Sequence, residues 1–203
     1  GQGLLVVGPN RLFLGYIEQV LPSLGEAGVE LAVLADLLDR AGSLEIGGRD
    51  LPDPARIKGD LRMAKVLAQA VRDRQRPLSR TMRVGYGVQT LSLTVGQSKA
   101  IVADAKRRFR LHNAGRRHVE ASVYATLADS SRVPVEAHEV RERLRHAPQV
   151  VEALERMWPV LTPADLLHDL FGSRALIDLA AGSLLSEGER AALFRKRSAA
   201  VGE

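Results

Sequence analysis

Few residues of this sequence have the types and the spacing that catalysis requires. The chain contains five histidines and no cysteine. His112 and His118 are six positions apart and His138 and His146 are eight apart, so neither pair shares a helical face in the i, i+4 arrangement of a zinc site. The lack of cysteine excludes disulfides, cysteine-ligated zinc and thiol catalysis within this chain. We therefore assign no catalytic residue and no metal ligand.

Phosphate chemistry has one weak candidate, the turn Gly8-Pro9-Asn10 between an apolar run and a helical pattern. Free N–H groups at the start of a helix attract anions. Pro9 lacks an N–H, however, and no lysine follows the turn. The chain also has no GxxxxGK[ST] run, and no apolar run that ends in Asp-Glu and could hold Mg²⁺. The sequence therefore predicts no nucleotide site of its own.

A run of cations is the strongest charge feature. Between Asp104 and Glu120 there is no acidic residue. On two helices joined at Asn113 the cations would form a basic patch for phosphate or for an acidic protein surface: Lys106, Arg107, Arg108, Arg110, Arg116 and Arg117. The alternative interpretation is a solvated face that acids elsewhere balance. Phe109 and Tyr124 sit at core spacing, so the pattern does not favour base stacking.

Composition indicates a soluble globular protein. Of 203 residues, 45% are hydrophobic, enough to bury a core, and the net charge is +5. No apolar run approaches the roughly 18 residues that span a bilayer. We expect a cytoplasmic protein with no membrane partner.

The first elements form a βαβ pattern. Leu4 to Val7 predicts a strand, and an Asn10-capped helix follows, up to the break at Pro22-Ser23-Leu24-Gly25. Residues 29–34 predict a second strand, and residues 35–40 a short helix. A continuous apolar strand is typical of parallel sheets covered on both faces, which need more strands than this chain offers. We therefore expect an excised piece of a larger protein.

The remainder is mainly helical. Residues 43–54 read as a linker, and a long helix is predicted from Asp53 to about Arg76, with an apolar stripe of Leu61, Ala64, Leu67, Ala70 and Val71. Alternating residues predict a β-hairpin over 81–95. Helical spacing then returns, with a break at Asn113-Ala114-Gly115, and everything from Val135 onward is helical. In that region Thr162 before Pro163 is a predicted N-cap, and Ser186 with Glu189 is a predicted capping box. The predicted fold class is mixed α/β, mainly α.

Three segments carry a family resemblance. Residues 5–26, which include Gly8-Pro9-Asn10-Arg11, are similar to the segment after the Walker A helix of actinobacterial HelD proteins. Lys58-Gly59-Asp60-Leu61-Arg62-Met63-Ala64 and the stretch from Trp158 to Phe171 resemble the same family. HelD proteins are superfamily 1, UvrD/Rep-like ATPases that bind RNA polymerase.

The resemblance implies a position within a motor. Walker A would precede Gly1 and Walker B would follow Glu203, so ATP and Mg²⁺ would belong to the parent protein and this stretch would hold no cofactor. Residues 1–45 would be part of RecA-like domain 1A, and residues 46–203 a mostly helical insertion, with a further boundary near 130–148. Gly8, Pro9, Asn10 and Arg11 resemble motif Ia, which contacts single-stranded nucleic acid. Leu34-Ala35-Asp36 would occupy the next motif but lacks its usual Thr and Gly.

The function that follows from the resemblance is mechanical. The insertion would contact RNA polymerase, open it and release its nucleic acid, driven by the remaining RecA-like domains of the parent. Two alternatives stay open: the DNA-binding part of a true superfamily 1 DNA helicase, and a free-standing helical adaptor.

Overall fold

The computed structural model describes residues 4–21, 28–33, 37 and 50–195. The chain divides into two compact units, residues 1–49 and residues 50–203. Two strands and a helix are described in the first unit, and a β-hairpin with a series of helices in the second. The predicted fold class, mixed α/β and mainly α, is confirmed.

The first unit is the predicted βαβ unit. Strand β1 (Leu4–Gly8), helix α1 (Arg11–Val20) and strand β2 (Val29–Val33) follow each other, and the strands pair in parallel from Leu4 opposite Val29 to Gly8 opposite Val33. Asn10 caps α1, because its Oδ1 accepts a 2.8 Å hydrogen bond from the Phe13 N–H. The predicted break at 22–25 and the motif at 34–36 lie outside the described residues, as do residues 38–40 of the predicted short helix and most of the linker.

Strand β1 differs from the prediction in its burial. We expected a strand covered on both faces, but Leu4, Leu5 and Val7 are 53%, 44% and 50% exposed. The reason is that pairing with β2 covers an edge of β1 and not its faces, and α1 is the one helix among the described residues that packs closely on β1. Only the end of β1 is tightly packed, where Gly8 is buried against Leu14 of α1.

The predicted long helix over 53–76 is wrong. The structure has two helices, α2 (Pro52–Lys58) and α3 (Arg62–Arg72). Asp60 causes the restart, since its carboxylate accepts a 2.8 Å hydrogen bond from the Arg62 N–H. The predicted stripe is confirmed in part, since Ala70 is buried and Leu67 and Val71 pack against the core. Leu61, at 90% exposure, and Ala64 lie outside the core, which takes Met63 and Val66 instead.

A first hydrophobic cluster joins the hairpin to four helices. Strands β3 (Met82–Tyr86) and β4 (Gln89–Leu93) pair in antiparallel register, as predicted, through a two-residue turn in which Gly87 has a φ of 60°. The four helices are α4 (Val95–Arg108), α5 (His112–Asp129), α6 (Ala137–Leu144) and α7 (Pro148–Met157). The predicted break at 113–115 is wrong, because the chain leaves the helix at residues 109–111 and Gly115 lies inside α5.

A second cluster packs α2 and α3 against the last three helices, α8 (Pro163–Phe171), α9 (Arg174–Ala181) and α10 (Glu187–Leu193). The predicted caps are confirmed: Thr162 Oγ1 accepts from the Asp165 N–H at 3.1 Å, and Ser186 with Glu189 forms a capping box. The first cluster thus lies in sequence between the two parts of the second. The predicted sub-boundary near 130–148 falls inside the first cluster.

Candidate functional site

The turn after β1 holds the residues that resemble motif Ia. Gly8 is buried, whereas Pro9, Asn10 and Arg11 are exposed. A Cβ atom on Gly8 would lie 2.5 Å from Leu14 Cδ2, so the packing of α1 on β1 already requires glycine there. The Asn10 side-chain oxygen is engaged in capping α1. The exposed part of this turn therefore presents Pro9, the Asn10 amide nitrogen and Arg11.

The same turn does not fit a nucleotide phosphate. A phosphate cradle uses several backbone N–H groups and a lysine, but Pro9 has no N–H, and the Phe13 N–H already donates to Asn10. Elsewhere in the described ranges, histidine and carboxylate side chains form no group of three that could hold a metal ion. We derive no step of ATP chemistry from these residues.

The predicted basic patch belongs to the second unit, at the junction of α4 and α5. Lys106, Arg107 and Arg108 form the last turn of α4, where cations stabilise the helix dipole. Together with exposed residues that follow them in the sequence, they form a surface that we call the α4–α5 corner. Its members are all exposed: Lys106, Arg107, Arg108, Arg110, Leu111 and Arg117.

Asp104 neutralises part of the α4–α5 corner. Arg108 Nε lies 2.7 Å and His118 Nε2 lies 2.8 Å from Asp104 Oδ2, and Arg107 Nη2 lies 2.9 Å from Oδ1. The hydrogen bond from Arg108 is the main reason that the pKa of Asp104 lies below its usual value. In the described part of the chain no carboxylate is within ion-pair distance of Lys106, Arg110 or Arg117. These three remain available cations.

Arg116, the remaining predicted member, points away from that surface. Its side chain is only 16% exposed, and Nη2 lies 2.8 Å from Glu155 Oε1. Its Nη1 donates to the carbonyl oxygens of Leu154, at 2.9 Å, and Trp158. Arg116 therefore caps the C-terminal end of α7 and is not available to a ligand.

Arg116 belongs to a group around the buried indole ring of Trp158, here called the Trp158 cluster: Trp158, His112, Asn113, Gly115 and Arg116. The Trp158 Nε1–H donates to the His112 carbonyl at 2.7 Å, and the two rings stack with centroids 5.1 Å apart. Asn113 makes two hydrogen bonds with the backbone of Leu161, at 2.8 and 3.1 Å. The cluster locks α5 onto the segment that follows α7, and the resemblance segment that begins at Trp158 therefore has a structural role.

His112 is held in its neutral form. Its Nε2 lies 2.7 Å from the Pro159 carbonyl oxygen, which can only accept, so Nε2 carries the proton and Nδ1 accepts from the Gln75 side chain at 3.0 Å. Burial is the main reason that the pKa of His112 is lowered, and the charge of Arg116 acts in the same direction. This arrangement is that of a satisfied structural histidine.

The aromatic residues near the basic patch are used internally. The Phe109 ring packs against His118 with centroids 5.4 Å apart, and Tyr124 is 2% exposed. The buried Tyr124 ring offers no face on which a base could stack, and the half-buried Phe109 ring is engaged with His118.

Sequence reasoning missed an ion-pair network, here called the Arg62 cluster: Asp60, Arg62, Leu184 and Glu189. Arg62 donates to both oxygens of Glu189, at 2.7 and 3.1 Å, to Asp60 Oδ2, and to the Leu184 carbonyl. The hydrogen bond from Arg62 is the main reason that the pKa of Glu189 falls to about 2. The sequence predicted the role of Glu189 in the capping box with Ser186. No local pattern indicated that Glu189 also pairs with Arg62, which is distant in the sequence.

Comparison with models of known protein families and with curated proteins found no match for this chain. Among the described residues, each helix is too short or too polar to span a bilayer.

Proposed function

We propose that this chain is part of an ATP-driven motor similar to HelD proteins. Residues 1–45 would supply a βαβ unit to its first RecA-like domain, and residues 46–203 would form an insertion that contacts RNA polymerase. Motion powered by ATP elsewhere in the motor would drive the insertion against polymerase, so that the enzyme opens and releases its nucleic acid. The contribution of this chain is mechanical contact.

The exposed apolar surface of β1 is the observation that carries the proposal. Leu4 lies on one face of the strand and Leu5 and Val7 on the other, and all three are 44 to 53% exposed. Strands that are apolar on both faces belong to parallel sheets with helices on either side. A two-stranded sheet has too little buried surface to be stable alone. Additional strands and helices of a RecA-like domain would cover both faces.

Helix α1 presents a second uncovered apolar surface. Leu12, Phe13 and Tyr16 are 88%, 45% and 67% exposed. Contiguous exposed apolar residues of this size mark an interaction surface. Such a surface supports a unit that packs within a larger domain.

Support for polymerase as the partner comes from the sequence resemblance, and the α4–α5 corner offers a suitable contact. Lys106, Arg110 and Arg117 carry charges without an ion-pair partner in the described residues, and Leu111 beside them is 76% exposed. Cations around an apolar residue complement an acidic protein surface. Tyr124 is buried and the half-buried Phe109 ring packs against His118, which favours a protein over a single-stranded nucleic acid.

The polymerase contact is tested by interferometry with immobilised core RNA polymerase. The triple variant Lys106→Gln/Arg110→Gln/Arg117→Gln should weaken binding about tenfold, because three exposed charge contacts are lost. Its control is Lys65→Gln/Lys99→Gln/Arg132→Gln, which removes the same charge from exposed positions elsewhere and should bind like the unaltered chain. Absence of binding by the unaltered chain would contradict the proposal.

A salt titration separates this proposal from a DNA helicase. If the chain instead binds single-stranded DNA tightly, its affinity should fall by about 0.7 log units per log unit of salt for each phosphate contacted. Tight, steeply salt-dependent DNA binding without polymerase binding would favour the helicase alternative.

The motor itself is tested by reading the codons on either side of this segment. A GK[ST] sequence is expected upstream and an apolar strand that ends in Asp-Glu downstream. If neither is encoded, a free-standing helical adaptor becomes the better interpretation.

A further inference from the structure

A groove between the start of the hairpin and α7 lies apart from the α4–α5 corner. It has a volume of about 550 Å³, and the connection before β3, the first residues of β3 and one side of α7 line it. Its floor is apolar, formed by Leu78, Met82 and Ala153, which are 4 to 8% exposed. The floor belongs to the first hydrophobic cluster.

Three arginines surround this groove. Arg80 precedes β3, Arg83 lies in β3 and Arg156 lies near the end of α7, and all three are exposed lining residues. Within residues 50–195 none of them has a carboxylate at ion-pair distance, not even Glu152, which lines the same groove. The rim of the groove therefore carries a net positive charge that the described structure does not neutralise.

The outer edge of β3 contributes unpaired backbone groups. In an antiparallel pair, alternate residues direct their N–H and C=O groups toward the partner strand. The register pairs Tyr86 with Gln89 at the turn, so Arg83 and Gly85 direct theirs away from β4. On the opposite edge, the outward N–H of Ser92 donates to Ser130 Oγ at 3.0 Å. Among the described residues, no such partner is present for the backbone of Arg83 or Gly85.

We propose that this groove binds an extended acidic peptide segment, which runs along the outer edge of β3 and places its carboxylates against Arg80, Arg83 and Arg156. Guanidinium groups recognise carboxylates through paired hydrogen bonds. The free strand edge supplies the main-chain hydrogen bonds of strand addition, and the apolar floor accepts the alternate side chains.

The groove is better suited to a peptide than to a nucleic acid. No aromatic residue is among its lining residues, so bases would have nothing on which to stack. An apolar floor and a strand edge offer little to a sugar–phosphate backbone. All residues of the groove belong to the second unit, and peptide binding there does not depend on whether the chain is part of a motor.

Fluorescence anisotropy with the full chain tests the groove. The probe is a labelled peptide of alternating glutamate and valine. The groove variant Arg80→Gln/Arg83→Gln/Arg156→Gln should bind it about tenfold more weakly. The charge-matched control is Lys106→Gln/Arg110→Gln/Arg117→Gln at the α4–α5 corner, which should stay within about twofold of the unaltered chain. Glu152→Gln should tighten binding, because it removes a like charge from the groove.

Several outcomes would overturn the inference. Equal losses in the groove and corner variants would mean non-specific charge attraction. If a peptide with glutamine in place of glutamate binds as tightly as the acidic peptide, the arginines do not recognise carboxylates. Binding of a labelled single-stranded oligonucleotide, but not of the acidic peptide, would assign the groove to nucleic acid. Each result is independent of the polymerase measurement, which uses a different probe.

Discussion

Gly115 occupies the interior of α5 although glycine is a poor helix former. A Cβ atom there would lie 2.8 Å from Cζ2 of the Trp158 ring, which the Trp158 cluster holds in place. Overpacking a rigid core costs about 1 to 3 kcal/mol. This cost exceeds the roughly 0.5 to 1 kcal/mol of helix propensity that is gained when alanine replaces glycine. We expect Gly115→Ala to lower the free energy of unfolding by about 1 to 2 kcal/mol, measured by urea titration.

Gly96 provides the matched control. It lies in α4 of the same unit, and a Cβ atom there would meet no heavy atom within 4 Å. Gly96→Ala should therefore be neutral or raise the free energy of unfolding by up to about 1 kcal/mol. Stabilisation by both substitutions would contradict the tight contact between Gly115 and Trp158.

His112 makes stability depend on pH. The pKa of His112 is lowered in the folded chain. As the pH falls below the ordinary histidine pKa of about 6.5, the imidazole is therefore protonated in the unfolded chain before it is protonated in the folded chain. Its stabilising contribution is therefore complete above pH 6.5 and is lost as the pH falls through the lowered value. Urea titrations of the unaltered chain and of His112→Gln should differ most near neutral pH and converge in acid.

Proton NMR gives the direct check on His112. The ring resonance of His112 should titrate with a midpoint below 6.5 in the folded chain. A midpoint at or above that value would contradict the satisfied, neutral imidazole between Gln75 and Pro159.

Orientation is the part of the site that residue types cannot reveal. Arg116 and Arg117 are adjacent and chemically identical, yet one caps α7 and the other faces solvent. Their direction depends on the phase of α5, which begins at His112, four residues before the restart expected after Gly115. Asn113 misled the prediction in the same way, since a residue typical of breaks instead binds the distant Leu161 backbone.

At the scale of elements, caps were more informative than long periodic patterns. Asn10, Thr162 and Ser186 each begin a helix as predicted. The missed break after α2 also has a local cause, Gly59 followed by the capping carboxylate of Asp60. The apolar periodicity did not predict this break, because Leu61 continues the apolar pattern of a single helix. In the structure Leu61 lies in the break between α2 and α3 and is exposed.

The Arg62 cluster joins α3 to the start of α10, so its charge state should affect the second unit. The pKa of Glu189 falls from 4.5 to about 2, which means that folding favours its ionised form. The stabilisation is present above pH 4.5 and is lost as the pH falls toward 2. We expect Glu189→Gln to lower the urea midpoint at neutral pH and to have little effect once the pH has fallen below 2.

Glu187 is the control for that measurement. It lies in the first turn of the same helix and is exposed, and no ion pair joins it to Arg62. Glu187→Gln removes the same charge near the helix dipole, and it should change the urea midpoint much less than Glu189→Gln does. Equal effects of the two variants would assign the pH dependence to the dipole of α10.

At the scale of the molecule, the interleaving of the two hydrophobic clusters was beyond sequence reasoning. The sequence of each helix indicates which of its faces is apolar. No local pattern indicates that α2 and α3 pack against α8 to α10, from which they are separated by about half of the chain. Two hydrogen bonds link the end of α3 to the first cluster: the Arg76 N–H donates to the Met157 carbonyl at 3.2 Å, and the Gln75 amide donates to His112 Nδ1 at 3.0 Å. These contacts favour unfolding of residues 50–203 as one cooperative unit.

A truncated chain of residues 50–203 tests that cooperativity. All described residues of both hydrophobic clusters lie between Ile57 and Leu193, within the truncated chain. We expect the truncated chain to keep its helical circular dichroism signal and to unfold in a single urea transition, with the same midpoint by fluorescence of Trp158 and by circular dichroism. Because Trp158 reports on the first cluster and helix content on both, separate midpoints would show that the clusters unfold independently. If the α4–α5 corner forms the polymerase contact, this chain should also bind core polymerase within about twofold of the full chain, and loss of binding with an intact fold would move the contact to residues 1–49.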